Sequence, residues 1–89
     1  MDRFSSMSLF ARVVETQSFS AAARESGISQ PTVSKQVAEL EARLGARLLS
    51  RSTRRIGVTE IGAAFYERCK RILDVAARFS QKPAILGWV

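Results

Sequence analysis

Between Arg3 and Thr16 the apolar residues Phe4, Met7, Phe10, Val13 and Val14 recur at intervals of three and four, which predicts one amphipathic helix with a single apolar face. Ser18 then precedes FSAAARES. Its hydroxyl can cap the free amides of a second helix, and the alanines favour helix and allow close packing. Gly27 supplies the positive φ that a sharp exit from a helix commonly needs. The polar run ISQPTVSKQ opens a third helix. Pro31 suits a first turn, and the cap is either Ser29 or Gln30, because Pro31 biases Gln30 toward extended backbone. From there Val33, Val37, Leu40 and Leu44 form one apolar stripe that ends at Gly45.

After Gly45 the helical period stops. Two short segments, 47–51 and 55–59, flank SerThrArg and predict a small two-stranded hairpin. Thr59 and Glu60 open a last helix. In it Ile61, Phe65, Cys69, Ile72, Ala76 and Phe79 recur at four, four, three, four and three, close to a heptad seam. Pro83 and Gly87 make the last seven residues a poor continuation of that helix.

The second helix, the turn at Gly27 and the third helix have the dimensions of a helix-turn-helix. Ala23, Gly27 and Val33 stand where such a unit needs a small residue, a turn glycine and a buried β-branched residue. A hairpin carrying RSTRR directly after it completes the layout of a winged helix. On a wheel of 100° per residue, Val33, Val37, Leu40 and Leu44 fall within about 60° of one another, with Pro31, Lys35 and Ala38 opposite and Thr32 and Ser34 flanking. The polar head of the third helix is therefore an outward face. An isolated polar helix start is most often merely capped and solvated, but this one sits inside a helix-turn-helix frame. Its side chains suit nucleic acid: Gln30 can read an adenine edge, Thr32 and Ser34 can meet a base or a phosphate, Lys35 adds charge, and Pro31 offers an apolar contact to a thymine methyl. Glu39 and Glu41 would repel phosphates, so only the first two turns are expected to enter a groove.

Charge supports that direction. Fourteen Lys and Arg against eight Asp and Glu give a formal net charge of +6, which favours a polyanionic partner. The excess lies in residues 51–89, with eight basic and three acidic side chains. Residues 1–50 hold six and five. At 46% hydrophobic the chain folds rather than serving as a basic tail, and its 89 residues suffice for one core. With no histidine and only Cys69, it has neither a disulfide framework nor a Cys/His metal site, and no nucleophile and base set that would suggest an enzyme. No cofactor motif is present. No apolar run approaches a membrane span, and MDRFSSMSLF lacks the features of a signal peptide, so a cytoplasmic location is expected.

The stretch SFSAAARESGISQPTVSKQVAELEARLGARLLSRSTRRIGVTEIG resembles the N-terminal DNA-binding domain of LysR-type transcriptional regulators, over roughly residues 3–79. The combination of AAA, SQPTVSKQ, LEARLG, LLSRSTRR and TEIG makes the resemblance specific. It implies a mainly α fold: a winged helix-turn-helix of three helices and a two-stranded wing over 1–59, then a long linker helix over 60–79 that pairs with its twofold mate. Residues 80–89 form a tail without assigned role, Trp88 included. The resemblance further implies that Gln30, Pro31, Thr32 and Ser34 meet bases, that Lys35 contacts phosphate, and that Arg54 and Arg55 lie in a wing reaching toward the minor groove. Arg51 either contacts backbone phosphate or braces the hairpin. The expected partners are double-stranded DNA, at an interrupted inverted repeat, and the chain itself, as a homodimer or as a tetramer in a full-length protein. Members of the family continue into an effector-binding domain, so this chain is expected to be part of, or a shortened form of, a longer regulator, with no small-molecule effector site of its own.

Two positions depart from the family pattern. Ser26 stands where leucine is usual and Leu49 where phenylalanine is usual, which is expected to loosen packing slightly while leaving the DNA contacts in place. Two other readings stay open: a winged helix whose basic wing meets an acidic protein, and a last helix whose whole seam packs within its own domain.

Overall fold

The structure is a computed structural model and describes residues 3–51 and 56–80, of which Phe79 and Ser80 are described by their backbone alone. Four helices and one small sheet follow in the order α1 (Arg3–Thr16), α2 (Phe19–Ser26), α3 (Gln30–Leu44), β1 (Leu49–Arg51), β2 (Ile56–Val58) and α4 (Glu60–Ser80). The boundaries of α2 and α3 have local chemical causes. Ser18 accepts the Ala21 amide hydrogen at 3.0 Å, and Ser29 accepts that of Thr32 at 3.3 Å, which settles the α3 cap on Ser29 rather than Gln30. Both α2 and α3 end on a left-handed glycine, Gly27 at φ 69° and Gly45 at φ 68°. Between α1 and α2 only two residues make the turn, and Gln17 takes a left-handed φ of 54° there without being a glycine.

The core is the meeting of the apolar faces of α1, α2 and α3, closed on one side by α4 and beneath the sheet by two consecutive leucines. Phe10, Val13, Ala22, Val33, Val37, Leu48, Leu49 and Cys69 have no measurable exposure. Phe10 of α1 meets Phe65 of α4 with ring centroids 5.6 Å apart and planes tilted by 49°, a favourable aromatic geometry. The stripes predicted from sequence run inward in their middles and outward at their ends: Phe4 and Leu44 are nearly half exposed. Leu44 therefore departs from the expected α3 stripe, because it lies in the last turn beyond the helices that cover Val33, Val37 and Leu40.

The sheet is antiparallel, pairing Leu49 with Val58, Ser50 with Gly57 and Arg51 with Ile56. Among the described residues it is shorter than the predicted 47–51 and 55–59 at its base, where side chains take over; Arg55 lies outside them. The Glu41 carboxylate accepts the amide hydrogens of Leu48 and Leu49 at 2.8 and 3.1 Å, in place of a strand ladder. Thr59 ends the hairpin and starts α4 at once. Its amide donates to the Leu48 carbonyl at 3.0 Å, its hydroxyl donates to the Arg47 carbonyl at 2.6 Å, and that hydroxyl accepts the Gly62 amide hydrogen at 2.9 Å. Gly62 must be glycine for a steric reason: a Cβ there would lie 2.0 Å from the Leu48 carbonyl oxygen.

Glu41 thus corrects its sequence reading. It is not a solvated charge that limits how far α3 enters a groove; its side chain is only 13% exposed and holds the root of the wing. Of the two departures from the family pattern, Leu49 is fully buried. Ser26 is exposed at the edge of an open surface groove that Phe4, Ser5, Ser8, Leu9 and Ile28 also line, where a leucine side chain would find room.

Candidate nucleic-acid interface

Burial of Val33, Val37 and Leu40 fixes the rotation of α3 about its axis, and that rotation turns Gln30, Pro31, Lys35 and Ala38 to solvent. Thr32 and Ser34 are half-buried at the margins of this face. The hydroxyls of Ser29 and Thr32 lie 2.7 Å apart, so Thr32 belongs to the cap as well as to the surface. Gln36, one turn on, accepts a hydrogen bond from the buried Ser6 of α1 at 3.3 Å, which ties the side of α3 to the domain behind it. The result is a protruding helix start of amide, hydroxyl and ammonium groups on a rigid apolar base, with donors and acceptors matched to base edges and phosphates.

Arg51 is exposed on β1, and its guanidinium carbon sits 4.7 Å from the centroid of the Phe19 ring, a cation–π contact. This contact links β1 to the first residue of α2. Phe19 was missed in the sequence, although an aromatic directly after a capping serine and a basic residue in a nearby strand were both legible. Arg54 and Arg55 lie outside the described residues.

The seam expected on α4 divides. Ile61 and Ile72 are 56% and 45% exposed, Phe65 and Ala76 are half-buried, and Cys69 is fully enclosed. Cys69 is removed from any surface available to a mate because it faces α1 beside Phe65; burial also pushes its thiol up to about 11, which keeps it protonated and inert. The Phe79 side chain lies outside the described residues. Val75, absent from the predicted seam, is 48% exposed and joins Ile61 and Ile72 on one outward stripe. No helix among the described residues is long and apolar enough to cross a membrane.

Comparison with known proteins agrees with this geometry. Residues 4–63 match the family described as bacterial regulatory helix-turn-helix protein, lysR family. An HTH-type transcriptional regulator of Xanthomonas campestris pv. campestris (strain 8004) is 59% identical over 64 residues, covering 72% of this chain and 19% of that protein. The HTH-type transcriptional activator AaeR of Escherichia coli (strain K12) is 49% identical over 73 residues, covering 82% of this chain and 24% of the activator. The chain thus spans about a fifth to a quarter of these relatives. Among solved structures, the BenM DNA-binding domain in complex with catB site 1 DNA superposes with a TM-score of 0.87 at 31% identity, covering 100% of this chain and 98% of that one. The CbnR DNA-binding domain in complex with DNA superposes with a TM-score of 0.84 at 38% identity, covering 98% and 99%. With the helix-turn-helix, the wing and the linker-like α4 all in place, the chain belongs to the LysR family of bacterial regulatory helix-turn-helix proteins and is a transcription regulator's DNA-binding domain.

Proposed function

We propose that the chain reads a specific double-stranded sequence as a homodimer on an interrupted inverted repeat, in the cytoplasm, with residues 1–59 as the reading unit and 60–79 as the linker. The start of α3 enters the major groove. Gln30, Pro31, Thr32 and Ser34 face base edges, Lys35 meets a phosphate, and Arg54 and Arg55 carry the wing toward the minor groove. Arg51, in contact with Phe19, braces the wing's root against α2, and its exposed guanidinium is available to a DNA backbone phosphate. The observation that carries this reading is the exposed face of Gln30, Pro31 and Lys35 on a helix whose other side is sealed in the core.

The second copy is supported by α4. Among the described residues Ile61, Ile72 and Val75 stay exposed on one face, interrupted by the exposed Arg68 and bordered by Phe65. Beside the stripe run Glu60 and Glu67 in the first half of the helix and Arg71 and Arg78 in the second, all exposed. An antiparallel mate sets acid against base along this flank. In this reading the two helix-turn-helix units meet successive major grooves about 34 Å apart.

Gln30→Ala tests the reading. It is expected to reduce discrimination between the specific and a scrambled duplex by about 1–3 kcal/mol while leaving scrambled-duplex affinity nearly unchanged. Equal loss on both duplexes would count against direct base readout by α3.

A further inference from the structure

Three helices that pack through apolar side chains are also joined by one polar chain. The Tyr66 hydroxyl on α4 donates to Glu15 Oε2 on α1 at 2.6 Å, across 51 residues of sequence. The other oxygen of that carboxylate accepts from Arg12 Nη1. Arg12 then grips Glu25 of α2 with two parallel bonds, Nε to Oε1 at 2.7 Å and Nη2 to Oε2 at 3.0 Å. The linker-like helix is thereby tied through α1 to the first helix of the helix-turn-helix.

Exposed polar contacts of this kind add little to stability, so their consequence lies in direction rather than in energy. The apolar part of the α1–α4 contact includes Phe10, Phe65 and Cys69, and apolar packing constrains distance better than it constrains a small pivot. A hydrogen bond at Tyr66 constrains the pivot. From Tyr66 to the end of α4 the helix runs roughly 21 Å, at 1.5 Å per residue. A swing of ~10° there moves the far end by ~3.7 Å, close to the ~3.4 Å rise of one base pair.

We propose that Tyr66, acting through Glu15 and Arg12, is a positioning residue that sets the angle between α4 and the helix-turn-helix and so fixes the half-site spacing the protein accepts. This rests on the homodimer reading. Tyr66 itself touches no DNA; it aims the elements that do.

The test uses the full chain and its Tyr66→Phe and Glu15→Gln variants on inverted-repeat duplexes whose half-sites are moved apart one base pair at a time. A single half-site duplex and sedimentation of the free proteins serve as controls. The wild type is expected to favour one spacing. Both variants are expected to lose about threefold or more of that preference, the size an exposed polar contact supports, with half-site affinity and dimerisation unchanged. The chain has a single tyrosine, so its absorbance titration reports the contact directly, and in Glu15→Gln the titration should move back toward that of free tyrosine. An undiminished spacing preference in both variants, with the Tyr66 titration restored in Glu15→Gln, overturns the positioning role alone. A wild type that accepts all spacings alike overturns the dimeric reading, and this proposal with it.

Discussion

Replacing Gly62 by alanine should damage the fold far more than a methyl group in the first turn of a helix ordinarily does. The added Cβ would stand 2.0 Å from the Leu48 carbonyl oxygen and 2.8 Å from its carbon. Ordinary C···O contacts begin near ~3.3 Å, so the carbonyl must retreat by roughly 1.3 Å. That carbonyl accepts the Thr59 amide at 3.0 Å and the Thr59 hydroxyl at 3.2 Å, and the Leu48 amide on its other side is held by Glu41. Loss of the Thr59 amide bond costs about 1 kcal/mol, the hydroxyl keeping its closer acceptor at the Arg47 carbonyl, and forced repacking adds about 1–3 kcal/mol, so that the middle of the range is a loss of about 3 kcal/mol. For a domain of this size that lowers Tm by roughly 12–24 °C. A far-UV circular dichroism melt and a urea titration measure it. Gly57→Ala is the control: its Cβ meets the Ser50 hydroxyl oxygen, a side-chain atom that can rotate away, so the loss should be much smaller. A loss under about 1 kcal/mol for Gly62→Ala, or equal losses at the two glycines, would refute the reasoning.

Other outcomes follow from the same structure. Glu41→Ala leaves the Leu48 and Leu49 amides without their acceptor and should cost about 2–3 kcal/mol, read by urea unfolding, with weaker DNA binding as the wing root loosens. Ser26→Leu should raise stability by up to about 1 kcal/mol by covering the surface groove beside Phe4 and Ile28, again read by urea unfolding. Tyr66 is pushed up to about 12, chiefly by its hydrogen bond to Glu15 and then by burial, so its contribution is present below the ordinary tyrosine value and is lost as pH rises through about 12; absorbance and circular dichroism should change together there. Glu25 is held below the usual carboxylate range by its hydrogen bonds from Arg12, so its contribution is present above that range and is lost as pH falls through the depressed value, which an acid titration of Glu25→Gln against the wild type would show.

The helices and the outward face of α3 were legible in the sequence because their causes are local. A serine followed three residues later by the amide it caps, a glycine after the last apolar residue and a three-four spacing of apolar side chains all lie within one or two turns. What stayed hidden depends on partners farther along the chain or on the angle at which elements meet. Glu41 looks like any exposed acid on a helix until the chain seven residues later folds back and presents two amides to it. Gly62 stands in a recognisable TEIG, but its reason is a carbonyl fourteen positions earlier. The α4 seam was read as one stripe because its spacing is continuous. The structure splits it because α1 covers only the side that bears Phe65 and Cys69, leaving Ile61, Ile72 and Val75 outside. The strained Gln17 gave no signal, since a left-handed non-glycine residue is written in the shortness of the turn rather than in its residue type.

In the proposed complex α3 reads sequence while basic side chains supply charge. Fluorescence anisotropy of the chain on an interrupted inverted-repeat duplex, beside a scrambled duplex of equal length across a salt series, tests it most directly. The repeat is expected to bind at least about a thousandfold more tightly, and both affinities are expected to fall steeply as salt rises. Equal affinity for the two duplexes at every salt concentration would contradict it.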